Sequence, residues 1–160
     1  MPVDPTSPDP NIARLGALMP LFMDLINRRS AGQTMRLMHD EGLTLPQIVA
    51  MHVLRHAGPL PLQGIAEALR LSASATSVLI DRLVEKGLVL RQENPADRRQ
   101  KLVQIADPGS RFLEDLARSR AEEFTAAITS IDPELRAELV TLFERVIDQL
   151  RQGESPCRPS

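Results

Sequence analysis

Residues 59–109 read PLPLQGIAEALRLSASATSVLIDRLVEKGLVLRQENPADRRQKLVQIADPG, and this stretch decides the fold. Its apolar spacing predicts a short helix over about 61–69, a turn, and a second helix over about 72–86. Two short runs rich in branched residues, 88–90 and 102–105, predict strands on either side of a charged loop. A helix pair followed by a basic hairpin is the arrangement of a winged helix-turn-helix, whose second helix can enter a groove of double-stranded DNA.

The composition narrows the class of protein. With 160 residues, of which 42% are hydrophobic, the chain suits one folded domain or a small domain with a dimerisation element. Only four residues are aromatic, all of them Phe, which argues against the stacking platforms that bind single-stranded nucleic acids. No phosphate-binding loop, nucleophile–base set or metal cluster is visible, so we expect no enzyme and no cofactor.

The termini predict neither export nor a membrane anchor. Residues 1–10 hold four prolines and lack the basic and apolar regions of a secretory signal. No stretch approaches the roughly 18 apolar residues of a membrane span. Cys157 is the single cysteine, so no intramolecular disulfide can form, and its place in a polar tail argues against a thiol switch. We expect a soluble cytoplasmic protein.

The charge is unevenly distributed along the chain. The net charge is −2, but residues 55–101 hold eight Lys or Arg against five Asp or Glu, which gives +3. The flanks sum to −1 over residues 1–54 and −4 over residues 102–160. A basic segment between acidic flanks supports a nucleic-acid partner, although a solvated surface could carry the same charge.

Helical apolar stripes flank the winged segment. One runs from Asn11 to about Arg29, where Pro20 either kinks the helix or marks a late start. A helical piece over about 31–41 ends at Gly42, and two Asp-Pro caps begin helices over about 107–130 and 132–151. Such stripes would bury best against a second subunit, with packing inside one chain as the alternative. We therefore divide the chain into a disordered start (1–10), an N-terminal dimerisation segment (11–42), a winged domain (43–106), C-terminal dimerisation helices (107–151) and a disordered tail (152–160).

Local signals fix several helix ends. Thr44 and Gln47 form a capping box, with Pro46 in the first turn, where its missing N–H is harmless. Ser72 is a plausible cap for the second helix of the pair. Gly87 suits the left-handed residue that would end that helix.

Three segments carry a resemblance to a known family. LTLPQIVAMHVL, GIAEALRLSASATSVLIDRLVEKGLVLRQ and NPADRRQKLVQIADPG resemble the MarR (multiple antibiotic resistance regulator) family of bacterial transcription factors. The wing signature, Asp97-Arg98-Arg99, is the most specific part, and the resemblance covers about residues 43–109. The family usually has Leu-Thr where this chain has Ile105-Ala106, but Asp107 can supply the helix cap there.

The resemblance implies a mainly α fold with a small β-wing, flanked by N- and C-terminal dimerisation helices. A homodimer would place two recognition helices in major grooves and two wings in adjacent minor grooves. It would read a pseudo-palindrome whose half-sites lie one helical turn, ~34 Å, apart. Members of the family are most often repressors whose DNA binding responds to a small-molecule effector.

The second helix of the pair supplies candidate DNA contacts. Small hydroxyls can bond to base edges or phosphates, and methyl groups can touch thymine. Val78, Leu79 and Leu83 are expected in the core. Residues 72–80 hold no Arg, Asn or Gln, so specificity would rest partly on DNA shape. The candidates are Ser72, Ser74, Ala75, Thr76, Ser77, Ile80 and Arg82; alternatively, the serines merely solvate the helix.

In the wing, arginines suit a narrow minor groove, where the negative potential is enhanced. By resemblance, Arg99 is the candidate for insertion, with Arg98 and Lys101 nearer phosphates. Asp97 cannot favour DNA by charge, so its expected role is to orient Arg99. Outside the wing tip, Arg82, Lys86 and Arg91 are weaker phosphate candidates. An ordinary solvated turn is the alternative interpretation of the wing.

The histidines leave two interpretations open. His52 and His56 lie four residues apart on one helix, a spacing that can hold a metal, with His39 or Glu41 as a third ligand. No cysteine lies nearby, so we expect no metal site, and a metal-responsive regulator remains an alternative.

We prefer a role for His52 in a cleft where the family binds small ligands. Met51 and Arg55 are the other candidates for effector binding. A winged-helix module that binds protein rather than DNA is a further alternative, and the charged wing tip counts against it.

Overall fold

A computed structural model describes residues 9–29, 33–95 and 100–153. The elements are α1 (Pro10–Arg29), α2 (Gln33–Asp40), α3 (Leu45–Ala57), β1 (Leu60–Pro61), α4 (Leu62–Leu69), α5 (Ala73–Glu85), β2 (Val89–Glu93), β3 (Lys101–Ile105), α6 (Asp107–Ile128) and α7 (Pro133–Gly153). The chain divides into two compact units: residues 31–122, and residues 1–30 with 123–160. The first, called here the winged unit, extends beyond the expected 43–106 and takes in α2 and most of α6. The expected disordered segments fall largely outside the described residues.

The winged unit contains a three-stranded antiparallel sheet in the order β1-β3-β2. Leu60 in β1 lies opposite Val103, and β2 pairs with β3 from Val89↔Ile105 to Glu93↔Lys101. The sequence did not predict β1, because two residues are too few to show a strand pattern. The strand β2 also runs three residues beyond the expected 88–90, since its pairing with β3 continues up the hairpin.

A single core joins these elements. It is formed by apolar side chains from α3, α4, α5, the sheet and the start of α6. Among its largest fully buried side chains are Met51, Leu54, Ile65, Ile80, Leu83, Val89, Val103 and Leu113. Each such side chain contributes about 1.5–3 kcal/mol relative to exposure, so the core fixes α5 against the hairpin.

The helix ends follow the sequence signals. Gln47 Oε1 accepts hydrogen bonds from the backbone N–H and hydroxyl of Thr44, at 2.8 and 2.9 Å. Ser72 Oγ accepts from the N–H of Ala75 at 3.2 Å, as expected of a cap. Gly87 has φ +69° where α5 ends, so its left-handed conformation is also confirmed. Arg70, with φ 54°, makes the turn between α4 and α5.

The second unit contains α1, the end of α6 and α7. The helix α1 begins at Pro10 with Pro20 in its interior, so Pro20 does not mark a late start. Phe124 contacts Phe22 and Phe143 edge to face, with ring centroids 6.1 and 6.2 Å apart. Asp132 Oδ1 caps α7 by accepting from the N–H of Glu134 at 2.8 Å.

The helix α6 begins at Asp107 itself, so Asp107 lies inside the first turn rather than before it. Its charge still suits the positive end of the helix dipole. No helix in the described part of the chain is both long and apolar enough to cross a bilayer.

Candidate nucleic-acid interface

The outer surface of α5 carries small and uncharged side chains over its first two turns. Ser74, Val78 and Arg82 are all exposed and, at four-residue spacing, form one row along the helix. Ser72 and Ala75 are exposed beside the start of this row. A helix with this surface can lie close to DNA, because no long side chain keeps its first two turns away.

Three expectations about α5 are wrong. Thr76 and Ile80 are fully buried, so neither presents its side chain to DNA. They share the inward face with Leu83, at spacings of four and three residues, and the Thr76 hydroxyl donates to the backbone oxygen of Ser72 at 2.9 Å. Val78, which we expected in the core, is 54% exposed because it lies on the opposite side of the helix.

A bridge that the sequence did not reveal joins α5 to β2. The Arg91 guanidinium lies 2.7 Å from Asp81 Oδ1. The Ser77 hydroxyl donates to the other oxygen of the same carboxylate at 3.4 Å. The Asp81 carboxylate therefore holds two side chains at once. One is Ser77, a candidate DNA contact on the preceding turn of α5, and the other is Arg91, a candidate phosphate ligand on β2.

Lys86 also has an intramolecular partner. Its Nζ donates to the backbone oxygen of Glu41 at 2.7 Å, beside the left-handed Gly42. The bond gives a hydrogen-bond donor to the Glu41 carbonyl, just after the end of α2. It also links the end of α2 to Lys86, the residue that follows α5. Of the three weaker phosphate candidates, Arg82 is therefore the one whose exposed side chain has neither a hydrogen bond nor an ion pair with another described residue.

The hairpin is closed at its neck, below the wing tip. Asn94 donates from its side-chain amide to Gln100 Oε1 at 2.8 Å and from its backbone N–H to Gln100 O at 3.0 Å. Lys101 is exposed at the start of β3. Asp97, Arg98 and Arg99 lie outside the described residues. A cleft of about 320 Å³ beside the hairpin is lined by Pro61, Leu62, Gln63, Arg91, Gln100, Lys101 and Val103.

The histidines of α3 lie together at the helix surface. Arg55 Nη2 is 3.1 Å from His52 Nδ1, and the His52 and His56 rings are nearly parallel with centroids 6.3 Å apart. Partial burial, followed by the nearby charges of Arg55 and His56, lowers the pKa of His52 below its usual 6.5. Among the described residues, no three His, Cys, Asp or Glu side chains are grouped to hold a metal, so His39 and Glu41 do not complete a site.

The expectation that Met51 contacts an effector is wrong. It is fully buried in the core, since it lies on the inward face of α3 with Ile48 and Leu54. His52 is half-buried, and Arg55 is exposed in the last turn of α3, where a ligand could reach them. Of the three residues expected to bind an effector, these two remain candidates.

An exposed helix after a tight turn, held by a common core against a β-hairpin, defines a winged helix-turn-helix DNA-binding protein. A family model described as the MarR family matches residues 43–101. YpoP of Bacillus subtilis (strain 168), an uncharacterized HTH-type transcriptional regulator, is 30% identical over 105 residues, which cover 66% of this chain and 72% of YpoP. The chain belongs to the MarR family of transcriptional regulators.

Solved structures share the fold. The transcriptional regulator Tm0710 from Thermotoga maritima superimposes with a TM-score of 0.75 and 16% identity, covering 88% of this chain and 96% of that one. A point mutant of S. aureus MepR bound to an oligodeoxyribonucleotide has a TM-score of 0.63 and 17% identity, covering 82% of this chain and 97% of that one. The fold is thus mainly α with a small β-wing, as the sequence predicted.

Proposed function

We propose that the protein is a homodimeric repressor that binds pseudo-palindromic double-stranded DNA and leaves it when a small-molecule effector binds. The recognition helix contributes Ser72, Ser74, Ala75, Ser77 and Arg82. The wing contributes Asp97, Arg98, Arg99 and Lys101, with Arg99 entering the minor groove. Because its partner is chromosomal DNA, the protein acts in the cytoplasm.

The observation that carries the dimer is the apolar surface of α1 and α7. The 21-residue helix α7 has no buried residue at all. Large apolar side chains nevertheless recur along both helices at helical spacing, and a single chain leaves them in water. They include Ile12, Leu15, Leu18 and Met19 in α1, and Leu135, Leu142, Phe143, Val146, Ile147 and Leu150 in α7. A second copy of the chain would cover them, which favours the dimer over packing within one chain.

A two-fold dimer explains how a recognition helix with no charged side chain in its first two turns could achieve selectivity. Two copies of α5 set ~34 Å apart would require two half-sites in register, which multiplies the discrimination of each. The charge of +3 over residues 55–101 supplies attraction to phosphates in the part of the chain that holds α5 and the wing. A protein bound across a promoter excludes the polymerase, and we therefore assign repression.

Effector control is assigned to the exposed C-terminal part of α3. His52 and Arg55 form a polar pair there, and an acidic or aromatic ligand could bond to both. The dimer can hold its two winged units in an arrangement that fits the operator or in one that does not. Such a ligand can release DNA only if it binds more tightly to the arrangement that does not fit.

The test combines mass and binding. Sedimentation equilibrium of the full chain should give twice the mass of one 17.7 kDa chain. Fluorescence anisotropy on the DNA upstream of its own gene, from about 50 to 200 mM salt, should show tight binding with a slope of several phosphate contacts. A monomeric mass would refute the dimer. Equal, weak binding to this and an unrelated fragment would count against a specific operator there.

A further inference from the structure

Val78 is an apolar side chain in the middle of the exposed row on α5. It lies one turn after Ser74 and one turn before Arg82, and 54% of it is exposed. A β-branched residue has no advantage at an exposed helix position, since its helix propensity is lower than that of alanine. The core does not use it either, because Thr76, Ile80 and Leu83 form the inward face.

Within residues 73–80, Val78 is the one large hydrophobic residue that is exposed. Residues 73–80 contain no charged or amide side chain, so no bidentate contact to guanine or adenine can come from them. On the side of Val78 toward the start of α5, the surface offers only the methyl group of Ala75 and the hydroxyl group of Ser74. One turn later come Arg82 and Asp81, whose carboxylate is paired with Arg91. In the major groove, the apolar feature that matches such a surface is the C5-methyl group of thymine.

We propose that Val78 reads a thymine in each half-site by packing its γ-methyl groups against the thymine C5-methyl. The proposal rests on the proposed binding of DNA by α5. It assigns sequence selectivity to apolar contact at one base pair, in a helix whose first two turns lack the usual hydrogen-bonding readers. The remaining hydroxyls would then position the helix rather than choose the sequence.

The experiment changes one methyl group at a time. The full-length wild-type chain selects a duplex from a randomised library, and each thymine of that duplex is then replaced singly by deoxyuridine. Deoxyuridine keeps every hydrogen-bonding group and lacks only the methyl. We expect two symmetry-related positions at which a single replacement weakens binding about fourfold, the effect of one buried methyl group. Replacements at thymines remote from α5 should leave the affinity unchanged.

The matching protein variant is Val78→Ala. It should bind the thymine and deoxyuridine duplexes equally at that pair of positions, while keeping its helical circular dichroism, because Val78 has no core contacts to lose. Val49→Ala is the control, since Val49 is 40% exposed on α3 rather than on α5. This control should keep the fourfold preference for thymine.

Two results would overturn the inference: wild-type protein indifferent to every deoxyuridine replacement, or Val78→Ala with the wild-type preference intact. Failure of the wild-type chain to select any duplex would be a different result. It would refute the proposed DNA binding itself, and the inference with it.

Discussion

Asp81 and Arg91 form an ion pair of 2.7 Å that fastens the recognition helix to the first long strand of the wing. Both side chains are partly exposed, so the pair itself contributes little, on the order of 0.2–1 kcal/mol. Its effect is geometric: α5 and the hairpin must meet DNA in a fixed relation, and this bridge joins them outside the core.

Replacing Arg91 and Arg82 separately should distinguish the bridge from a phosphate contact. Arg91→Ala should lower the free energy of unfolding by up to about 1 kcal/mol and leave the salt slope of DNA binding unchanged. Arg82→Ala should leave stability unchanged and reduce that slope by about 1.8, the value of one phosphate contact from each subunit of the dimer. Urea unfolding measures the free energy of unfolding, and anisotropy at several salt concentrations measures the salt slope of DNA binding. A reduced slope for Arg91→Ala would show that Arg91 contacts phosphate despite its partner.

Arg99→Ala should abolish tight operator binding without unfolding the protein. The expected cause is the loss of a cation from the narrow minor groove, where the potential is most negative. Arg98→Ala should instead weaken binding to all duplexes alike, as the loss of a phosphate contact does. Anisotropy at physiological salt and thermal melting are the measurements, and unchanged affinity of Arg99→Ala would refute its assignment.

Val146→Glu should produce a monomer. Val146 is exposed on the apolar face of α7, and a dimer that covers it would have to bury an unpaired carboxylate. Thr141→Glu adds the same charge on the opposite, polar side of α7 and should leave the dimer intact. Sedimentation equilibrium decides between them, and a dimeric Val146→Glu protein would move the interface away from this face.

The pH dependence of stability should contain a contribution from His52. Its pKa is lowered in the folded chain, so below about pH 6.5 the unfolded chain binds more protons there. This contribution is therefore fully present above that pH and is lost as the pH falls through the lowered pKa of His52. Urea unfolding between about pH 5 and 8 should show a weaker loss of stability at low pH for His52→Gln. Identical curves for the variant and the wild type would contradict the prediction.

Gly109→Ala should destabilise the winged unit. A Cβ atom there would overlap the backbone oxygen of Leu88, which also accepts the N–H of Ala106 at 3.0 Å. We expect a cost of about 1–3 kcal/mol or more from overpacking. Gly64→Ala is the control, because a Cβ atom at this position in α4 meets Pro61 and Leu60 only at an ordinary 3.7–3.8 Å. The control should stabilise its helix by about 0.5–1 kcal/mol. Equal changes in the free energy of unfolding for the two variants, measured in urea, would refute the close approach at Gly109.

The sequence by itself determined the local structure. The capping box at Thr44, the cap at Ser72 and the left-handed Gly87 depend on neighbours within a few residues, so their side-chain chemistry is enough to place them. The order of the helices and of the two long strands followed from apolar spacing in the same way. The wing signature and the matching segments then led to the correct family.

Only the tertiary structure decided which side of α5 faces outward. Val78, Leu79 and Ile80 are consecutive apolar residues, and periodicity cannot choose among them. The fit of Ile80 and Leu83 into the common core sets the rotation of the helix, and it turns Val78 toward solvent. Contacts between distant parts of the chain were equally invisible. Lys86 meets Glu41 across 45 positions, and the two-residue strand β1 exists because β3 pairs with it. Such contacts depend on how the chain folds back on itself, which no local pattern encodes.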